Sequence, residues 1–151
     1  TVSNMLNTPI EVLEMSFPLR FEEYSVVPDS GGAGTFRGGC GVRRAWRILD
    51  RDLRASTCFE RTVTPPFGLA GGLPGGRARL SMTLPDGTRR AVPGKGAYTA
   101  PAGAVVTIEA PGSGGYGPPT ARDPAALRAD LADGYVTPEA AARDYGMTDR
   151  D

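Results

Sequence analysis

A glycine-rich stretch, Pro28–Gly41, constrains this chain more than any other feature of its sequence. It holds six glycines in fourteen residues and lies between two apolar-rich runs. Each glycine gives up backbone entropy and offers no side chain to pack, so the stretch favours neither a helix nor a regular strand. Glycine is typical of positions where φ is positive or where another group comes close to the backbone. We therefore expect another subunit, a neighbouring loop or a ligand to lie against this main chain.

Two further loops rich in glycine and proline, residues 64–76 and 111–119, follow later in the chain. The 151 residues include 21 glycines and 14 prolines, which is about twice the average share. They separate short runs in which apolar and polar residues alternate, the period of a half-buried strand. The pattern predicts a mainly β (α+β) fold, an antiparallel β sandwich or barrel-like domain.

Three alternating runs in the first half of the chain predict strands over Leu19–Val26, Gly41–Leu49 and Leu53–Glu60. A polar turn, Asp50–Asp52, separates the second run from the third. Because strands joined by a short polar turn commonly pair with each other, we expect the second and third strands to form a hairpin.

The second half of the chain predicts four more strands. Asp86 and Gly87 stand between the strand-like runs 77–84 and 88–92, and Asp-Gly between such runs is a strong hairpin signal. Two more strands are expected over residues 96–99 and 104–110.

Helix signals stand at both ends of the chain. Thr8 as a cap, Pro9 at the first helical position and Glu11 three residues after the cap predict a short helix over residues 9–16. Near the other end, a capping residue followed by proline occurs twice, and each run is closed by a glycine. These signals predict a two-helix tail with the pairs Asp123/Gly134 and Thr137/Gly146 as start and stop residues.

Composition limits the function classes. The 17 basic and 17 acidic residues cancel, which does not favour nucleic-acid or membrane-surface binding, and no apolar run approaches the length of a membrane span. The chain has no histidine, so a self-contained Ser-His-Asp, Cys-His or histidine–metal site is excluded. Cys40 and Cys58 lie in no metal-binding spacing. We expect two buried thiols of a cytosolic protein, with a disulfide as the open alternative.

Few residues offer chemistry by themselves. Residues 112–117 match G-x-G-x-x-G, but two prolines follow where a dinucleotide site needs a helix. Asp29 is placed either to lock a loop by accepting backbone N–H bonds or to pair with Arg37, and we favour a structural role over direct function. An N-terminal nucleophile at Thr1, with its own amino group as base, stays open as an alternative.

Read together, these motifs resemble the C-terminal part of the hydantoinase B/5-oxoprolinase family, in order and over essentially the whole chain. The motifs are Asn4-x-x-Asn7-Thr8-Pro9-x-Glu11, the stretch Pro28–Gly41, Pro65–Gly72, Pro111–Gly117 and a tail from Arg122 to Gly146. The second of these is specific, whereas each of the others would be weak alone. The family includes the B subunits of N-methylhydantoinase and 5-oxoprolinase and the related alpha subunit of acetone carboxylase.

The resemblance implies a fragment or small subunit of an ATP-dependent cyclic amide hydrolase, cytoplasmic and inactive alone. The implied partners in this hetero-oligomer are a hydantoinase A-type ATP-using subunit and the N-terminal part of the hydantoinase B-type chain. ATP and a divalent metal would be bound in those partner chains, so we assign no metal ligand or cofactor site here. A small subunit of an acetone-carboxylase-like enzyme and a purely structural interaction subunit stay open as alternatives. On this basis we expect a β-rich domain over residues 1–119 and a helical tail over 120–151 packed on the same unit.

Position and polarity give the candidate site residues. We expect the catalytic region to be approached first by Asn4, Asn7, Thr8 and Glu11. Asp29 and Ser30 rank second as candidates. For the glycine stretch itself we expect a packing surface. Asp29 and Arg37 would fix its form, and its glycines would let the missing part of the enzyme lie against the backbone.

Overall fold

The structure, a computed structural model, describes residues 7–147. Within this range the chain is built mainly from short β-strands with helices at both ends. The strands are β1 (Leu19–Val26), β2 (Val42–Ile48), β3 (Leu53–Cys58), β4 (Arg79–Thr83), β5 (Arg89–Ala91), β6 (Lys95–Ala100) and β7 (Val105–Glu109).

The strands form two antiparallel sheets. The larger sheet has five strands in the order β1-β2-β7-β4-β5, and the smaller sheet pairs β3 with β6. Side chains from both sheets meet in one core, in which Ile48 and Val106 of the large sheet and Ala100 of β6 are almost fully buried. Leu53 and Tyr98 of the small sheet pack against this core. The predicted mainly β, antiparallel fold is therefore confirmed.

One of the two predicted hairpins is confirmed and the other is wrong. β4 and β5 pair around the turn at Asp86 and Gly87, as predicted. β2 and β3 do not pair, because β2 lies between β1 and β7 while β3 pairs with β6. The turn after β2 carries the chain from one sheet to the other, and Asp52 anchors it by accepting a 3.0 Å hydrogen bond from the backbone N–H of Ala102. An alternating strand can bury its apolar face either way, so the pattern did not separate the two arrangements.

β1 contains an irregularity that changes which side chains face inward. Phe21 pairs with Trp46 and Glu23 pairs with Ala45, so Glu22 is an extra residue in β1. Such a bulge shifts the alternation of side chains by one position. Tyr24 therefore lies on the same face of the sheet as Phe21.

The N-terminal helix α1 covers Ile10–Ser16 and agrees with the predicted helix, but its start differs. Pro9 has an extended backbone and occupies the N-cap position, and no side chain caps the helix. The prediction that Thr8 caps α1 is therefore wrong, because the extended Pro9 stands between Thr8 and the first helical residue. Glu14 ties α1 to β1 by accepting a 2.6 Å hydrogen bond from the backbone N–H of Phe21.

The predicted helical tail is present. α2 covers Pro124–Ala132 and α3 covers Pro138–Ala140, which continues as a π-helical turn over Ala141–Tyr145. The side chains of Asp123 and Thr137 cap α2 and α3 as predicted. Gly134 and Gly146 follow the helices with positive φ. Across residues 7–147 no helix combines the length and the apolar character that a membrane crossing requires.

The tail packs on the glycine-rich stretch. Ala33 of that stretch is buried in a second apolar cluster together with Leu127 of α2 and three tail residues, Val136, Ala140 and Tyr145. The tail therefore covers a loop of the β-rich part through its own small core.

The two cysteines are both free. Cys40 is half-buried, whereas Cys58 at the end of β3 is exposed. The prediction of two buried thiols is wrong for Cys58, because the buried side of β3 at this point is taken by the neighbouring Thr57.

Candidate functional site

The small sheet covers only part of the inner face of the large sheet. The bulge in β1 places Tyr24 and Val26 on that inner face, yet these side chains stay 50% and 43% exposed. Arg44 lies directly opposite Tyr24 in the β1–β2 pair, and Trp46 follows on the same face of β2. An apolar sheet surface with a cation in it is thus left open beside the main core.

A pocket of about 330 Å³ opens on this surface between α1, β1, β2, β3 and β6. Eleven of its lining residues are apolar or aromatic, two are arginines, and none is acidic. They are Leu13, Phe17, Leu19, Phe21, Arg44, Trp46, Ile48, Leu53, Arg54, Ala55, Tyr98, Ala100 and Val106. We call this cavity the inner-face pocket.

Arg44 is held at the inner-face pocket by neutral partners. Its Nη2 donates to Asn7 Oδ1 at 2.6 Å and to the Tyr24 hydroxyl at 3.3 Å. Its guanidinium carbon lies 4.8 Å from the centre of the Tyr24 ring, a cation–π contact, and the Asn7 amide is also hydrogen-bonded to the Tyr24 hydroxyl. None of the carboxylates in the part of the chain that the structure describes pairs with Arg44.

The arrangement can bind an anion and can donate hydrogen bonds. A guanidinium can donate charge-assisted hydrogen bonds to a carboxylate or phosphate, and these are stronger than hydrogen bonds between neutral groups. Burial raises the pKa of the Tyr98 hydroxyl in the same pocket, so this group stays protonated at neutral pH and can also donate.

Of the predicted site residues near α1, Asn7 is the one that contacts a lining residue of the inner-face pocket, through its hydrogen bond with Arg44. Thr8 and Glu11 are exposed at the start of α1. Asn4 lies outside the described residues, as does Thr1.

Asp29 and Ser30 make a different set of contacts. Asp29 has a positive φ of 59°, and its carboxylate accepts hydrogen bonds from the Thr137 backbone N–H and hydroxyl, each at 2.8 Å. The buried Ser30 donates to the Val27 carbonyl at 2.6 Å and accepts from the Gly41 N–H at 2.7 Å. The prediction that Asp29 locks a loop through a backbone N–H is therefore confirmed, and both residues serve the glycine stretch and the tail.

The alternative pairing of Asp29 with Arg37 is wrong, because each has another partner. Arg37 donates from Nε and Nη2 to Asp130 of α2 at 3.0 Å, and Arg122 donates to the same carboxylate at 2.5 Å. All three side chains are nearly buried. Burial would raise the pKa of Asp130, but the hydrogen bonds and charges of the two arginines outweigh it and hold that pKa below its usual value. The hydrogen bond to Asp130 raises the pKa of Arg37.

The three glycine-rich segments pack against each other. Backbone hydrogen bonds join Gly32 N–H to the Ser113 carbonyl, Leu73 N–H to the Ala33 carbonyl and Gly115 N–H to the Leu73 carbonyl, at 2.7 to 2.9 Å. We call the assembly of residues 30–41, 65–76 and 111–117 the glycine layer. Its contacts identify a neighbouring loop, among the three expected possibilities, as what lies against the glycine stretch.

At most glycines of the glycine layer the packing is too close for a side chain. A Cβ placed on Gly112 would lie 1.8 Å from the Ser30 carbonyl oxygen, and one on Gly72 would lie 2.2 Å from the Gly115 carbonyl oxygen. Five of the six glycines in the stretch Pro28–Gly41 are closed in the same way, whereas Gly39 is exposed. That the missing part of the enzyme lies against this stretch stays a prediction. Residues 112–117, the G-x-G-x-x-G match, belong to this layer, and no phosphate-binding helix follows them.

Sequence reasoning missed Arg44, Tyr24 and Trp46 as site residues. One signal was available, because the alternation of β2 puts Arg44 on the same face as Trp46 and Ile48. A cation on the apolar face of a strand needs a partner or solvent. The missing information was the bulge in β1, which turns Tyr24 toward Arg44.

Fold and site together define a two-sheet antiparallel β unit. Its glycine-rich loops pack into the glycine layer, and the helical tail packs on that layer. Residues 1–119 match the model of the Hydantoinase B/oxoprolinase family. The chain belongs to the hydantoinase B/oxoprolinase family.

Two curated relatives agree with this assignment. The chain is 35% identical over 147 residues to the beta chain of caprolactamase from Pseudomonas jessenii, and the match covers 95% of the chain and 25% of the relative. It is 32% identical over 151 residues to a protein of Pseudomonas sp. (strain NS671) named as the B chain of a D-/L-hydantoinase, and this match covers 97% of the chain and 25% of that protein. The chain thus spans about a quarter of the length of these two relatives.

Two solved structures share the fold. ATP-dependent caprolactamase from Pseudomonas jessenii matches with a TM-score of 0.79 and 29% identity, covering 97% of this chain and 26% of that one. A nucleotide-free structure of acetone carboxylase matches with a TM-score of 0.77 and 21% identity, covering 93% of this chain and 23% of that one. At this lower identity the second match shows the fold alone.

No group of three or more acidic or cysteine side chains that could hold a metal ion occurs within residues 7–147. The described residues therefore do not fit a metal centre of their own, and we assign no metal-dependent step to them.

Proposed function

We propose that this chain works as the C-terminal part or a small subunit of an ATP-dependent cyclic amide hydrolase. The observation that carries the proposal is the match of nearly the whole chain, in sequence and in fold, to caprolactamase. The chain corresponds to about a quarter of such proteins, and the proposal assigns the ATP and metal chemistry to parts of the enzyme outside this chain. In this proposal a hydantoinase A-type subunit uses ATP, and the N-terminal part of the hydantoinase B-type chain holds the divalent metal.

The contribution of this chain would come from the side that carries Asn7 and Arg44. When the carbonyl of a cyclic amide is attacked, its oxygen gains negative charge, which a fixed cation or amide N–H stabilises. Arg44 and the Asn7 amide are such donors, and they are held together by Tyr24. Thr8 and Glu11 are exposed next to Asn7 and would face the same partner surface.

Asp29 and Ser30 would support the site from a distance. Their hydrogen bonds fix the glycine layer and the tail, and the glycine layer connects β1 to β2, the strands that carry Tyr24 and Arg44. We therefore propose a positioning role for them and no contact with the substrate.

Measurement of the mass of the native complex tests the proposed assembly. The chain is co-expressed with the proteins encoded beside it and purified through a tag on this chain. A stable hetero-oligomer that contains an A-type subunit is the expected result. A chain that stays a monomer in the presence of these proteins contradicts the proposal.

A carboxylase of the acetone carboxylase kind is the second candidate, supported by the shared fold. The two reactions differ in the second reactant, which is water for the hydrolase and bicarbonate for the carboxylase. ATP use by the complex that persists with a cyclic amide after bicarbonate is removed favours the hydrolase. ATP use that requires bicarbonate and a ketone favours the carboxylase.

A further inference from the structure

We propose that the inner-face pocket binds a small apolar carboxylate, with the hydrocarbon body between the two sheets and the carboxylate on Arg44. The inference depends on the walls and charges of the pocket itself. It assigns a ligand class to the same side of the chain that the proposed function uses, and it is tested on the chain alone.

The walls fit a hydrocarbon body. Trp46 and Ile48 of β2, Leu53 of β3 and Phe21 of β1 contribute apolar surface on several sides, while Leu13 of α1 closes another. The volume is about 330 Å³. At about 30 Å³ for each water-sized group, that space takes a ligand on the order of ten non-hydrogen atoms.

The charges fit a single anion. The lining contains Arg44 and Arg54 and no acidic residue, and the contacts that hold Arg44 come from the neutral Asn7 and Tyr24. No carboxylate of the described residues pairs with Arg44. The carboxylate of a bound ligand would therefore supply the opposite charge. A neutral ligand would leave the cation uncompensated, and a cationic ligand would be repelled.

Arg44 is also pre-positioned for such a ligand. The cation–π contact with Tyr24 and the hydrogen bond to Asn7 restrict its side chain before any ligand arrives. Less side-chain entropy is then lost on binding, and this favours affinity. The protonated Tyr98 hydroxyl offers a further donor in the same cavity.

The ligand class is consistent with the proposed reaction, although it does not depend on it. Opening a cyclic amide with water breaks the C–N bond and leaves a carboxylate and an amine on the same carbon body. The proposed ligand shares the carboxylate with such a product and lacks the amine.

Tryptophan fluorescence of the full chain tests the proposal, because Trp46 is its single tryptophan and lines the pocket. Hexanoate, acetate and 1-hexanol are titrated separately. Hexanoate is expected to change the emission saturably, with half-saturation below about 10 mM. Acetate lacks the apolar body and 1-hexanol lacks the charge, so each is expected to bind at least about tenfold more weakly.

Three variants locate the site. Arg44→Gln is expected to weaken hexanoate binding about tenfold, and Ala55→Phe, which fills the pocket from β3, is expected to abolish it. Arg20→Gln, an exposed arginine on β1 outside the pocket, is the matched control and should bind within about twofold of the unaltered chain. Thermal unfolding confirms that each variant is folded.

Three outcomes would overturn the proposal. The first is the absence of saturable hexanoate binding, and the second is equal binding of hexanoate and 1-hexanol. The third is unchanged binding in both Arg44→Gln and Ala55→Phe. None of these outcomes bears on the native mass of the complex, so the proposed function is judged separately.

Discussion

Asp29 and Thr137 are 108 positions apart in the sequence and share two hydrogen bonds of 2.8 Å. The Thr137 hydroxyl also accepts a bond from the Ala140 N–H and so caps α3. One carboxylate in the glycine stretch therefore fixes the residue that starts the last helix. The tail is held to the glycine layer at this point and at the ion pairs of Asp130.

Two substitutions of Asp29 should differ in their effect on stability, because one removes the hydrogen-bond acceptor and the other keeps it. Asp29→Ala removes both hydrogen bonds and leaves alanine at a positive φ, so we expect a loss of about 2 kcal/mol in the free energy of unfolding. Asp29→Asn should lose less than half of that, because asparagine tolerates this φ and its amide oxygen can still accept from Thr137. Urea unfolding measures both. Equal losses in the two variants would contradict this role.

Two neighbouring glycines offer a matched test of the glycine layer. A Cβ on Gly38 would lie 2.1 Å from the Ser113 carbonyl oxygen, whereas one on Gly39 would meet nothing closer than the Ser113 hydroxyl at 3.7 Å. We expect Gly38→Ala to cost about 3 kcal/mol or more and Gly39→Ala to stay within about 0.5 kcal/mol. Equilibrium urea unfolding compares them. Similar stability of the two variants would show that the layer is looser than described.

Removal of the charge on Asp130 should destabilise the junction of the tail with the glycine layer. Asp130→Asn leaves Arg37 and Arg122 nearly buried without their anion, and breaking a buried pair in this way costs about 3 to 5 kcal/mol. Asp133→Asn, an exposed position at the end of α2, is the control and should change stability by less than about 0.5 kcal/mol. Chemical unfolding of both variants checks this. A loss at Asp130 no larger than at Asp133 would contradict it.

The same carboxylate should give the fold a specific acid sensitivity. The pKa of Asp130 in the folded chain lies below the ordinary aspartate value of 3.8, so the ionised form favours folding. This stabilisation is fully present above the ordinary value, which the unfolded chain keeps, and is lost as pH falls through the lower folded-state pKa. From about pH 5 to about pH 3, stability should fall more steeply in the unaltered chain than in Asp130→Asn. Urea unfolding at several pH values measures the two slopes, and parallel slopes would contradict the assignment.

The local elements of the fold could be predicted from the sequence because their signals are short-range. Asp123 and Thr137 stand directly before the prolines that start α2 and α3, and the turn at Asp86 and Gly87 joins two strands that pair with each other. Such signals depend on a few adjacent residues. The start of α1 was wrong by one position, since Pro9 can stand either at the cap or inside the helix.

The pairing of distant segments could not be predicted in the same way. An alternating pattern tells which face of β3 is buried, but it does not tell whether β3 lies beside β2 or across the core from it. The glycines indicated that another group lies close to the backbone, but they did not identify that group as the neighbouring glycine-rich loops. For the site, Asn7 was predicted from its polarity, whereas its contact with Arg44 depends on the bulge at Glu22. These relationships arise from tertiary packing, which residue types and spacing do not encode locally.

The proposed hydrolase role is tested most directly by reconstituting the complex with and without this chain and measuring ATP hydrolysis that depends on a cyclic amide. Caprolactam, hydantoin and 5-oxoproline serve as trial substrates. We expect activity only when the chain is present. In the assembled complex, Asn7→Ala or Glu11→Ala should lower turnover at least about tenfold, while Ser56→Ala on the exposed side of β3 leaves it unchanged. Full cyclic-amide-dependent turnover without this chain would contradict the proposal.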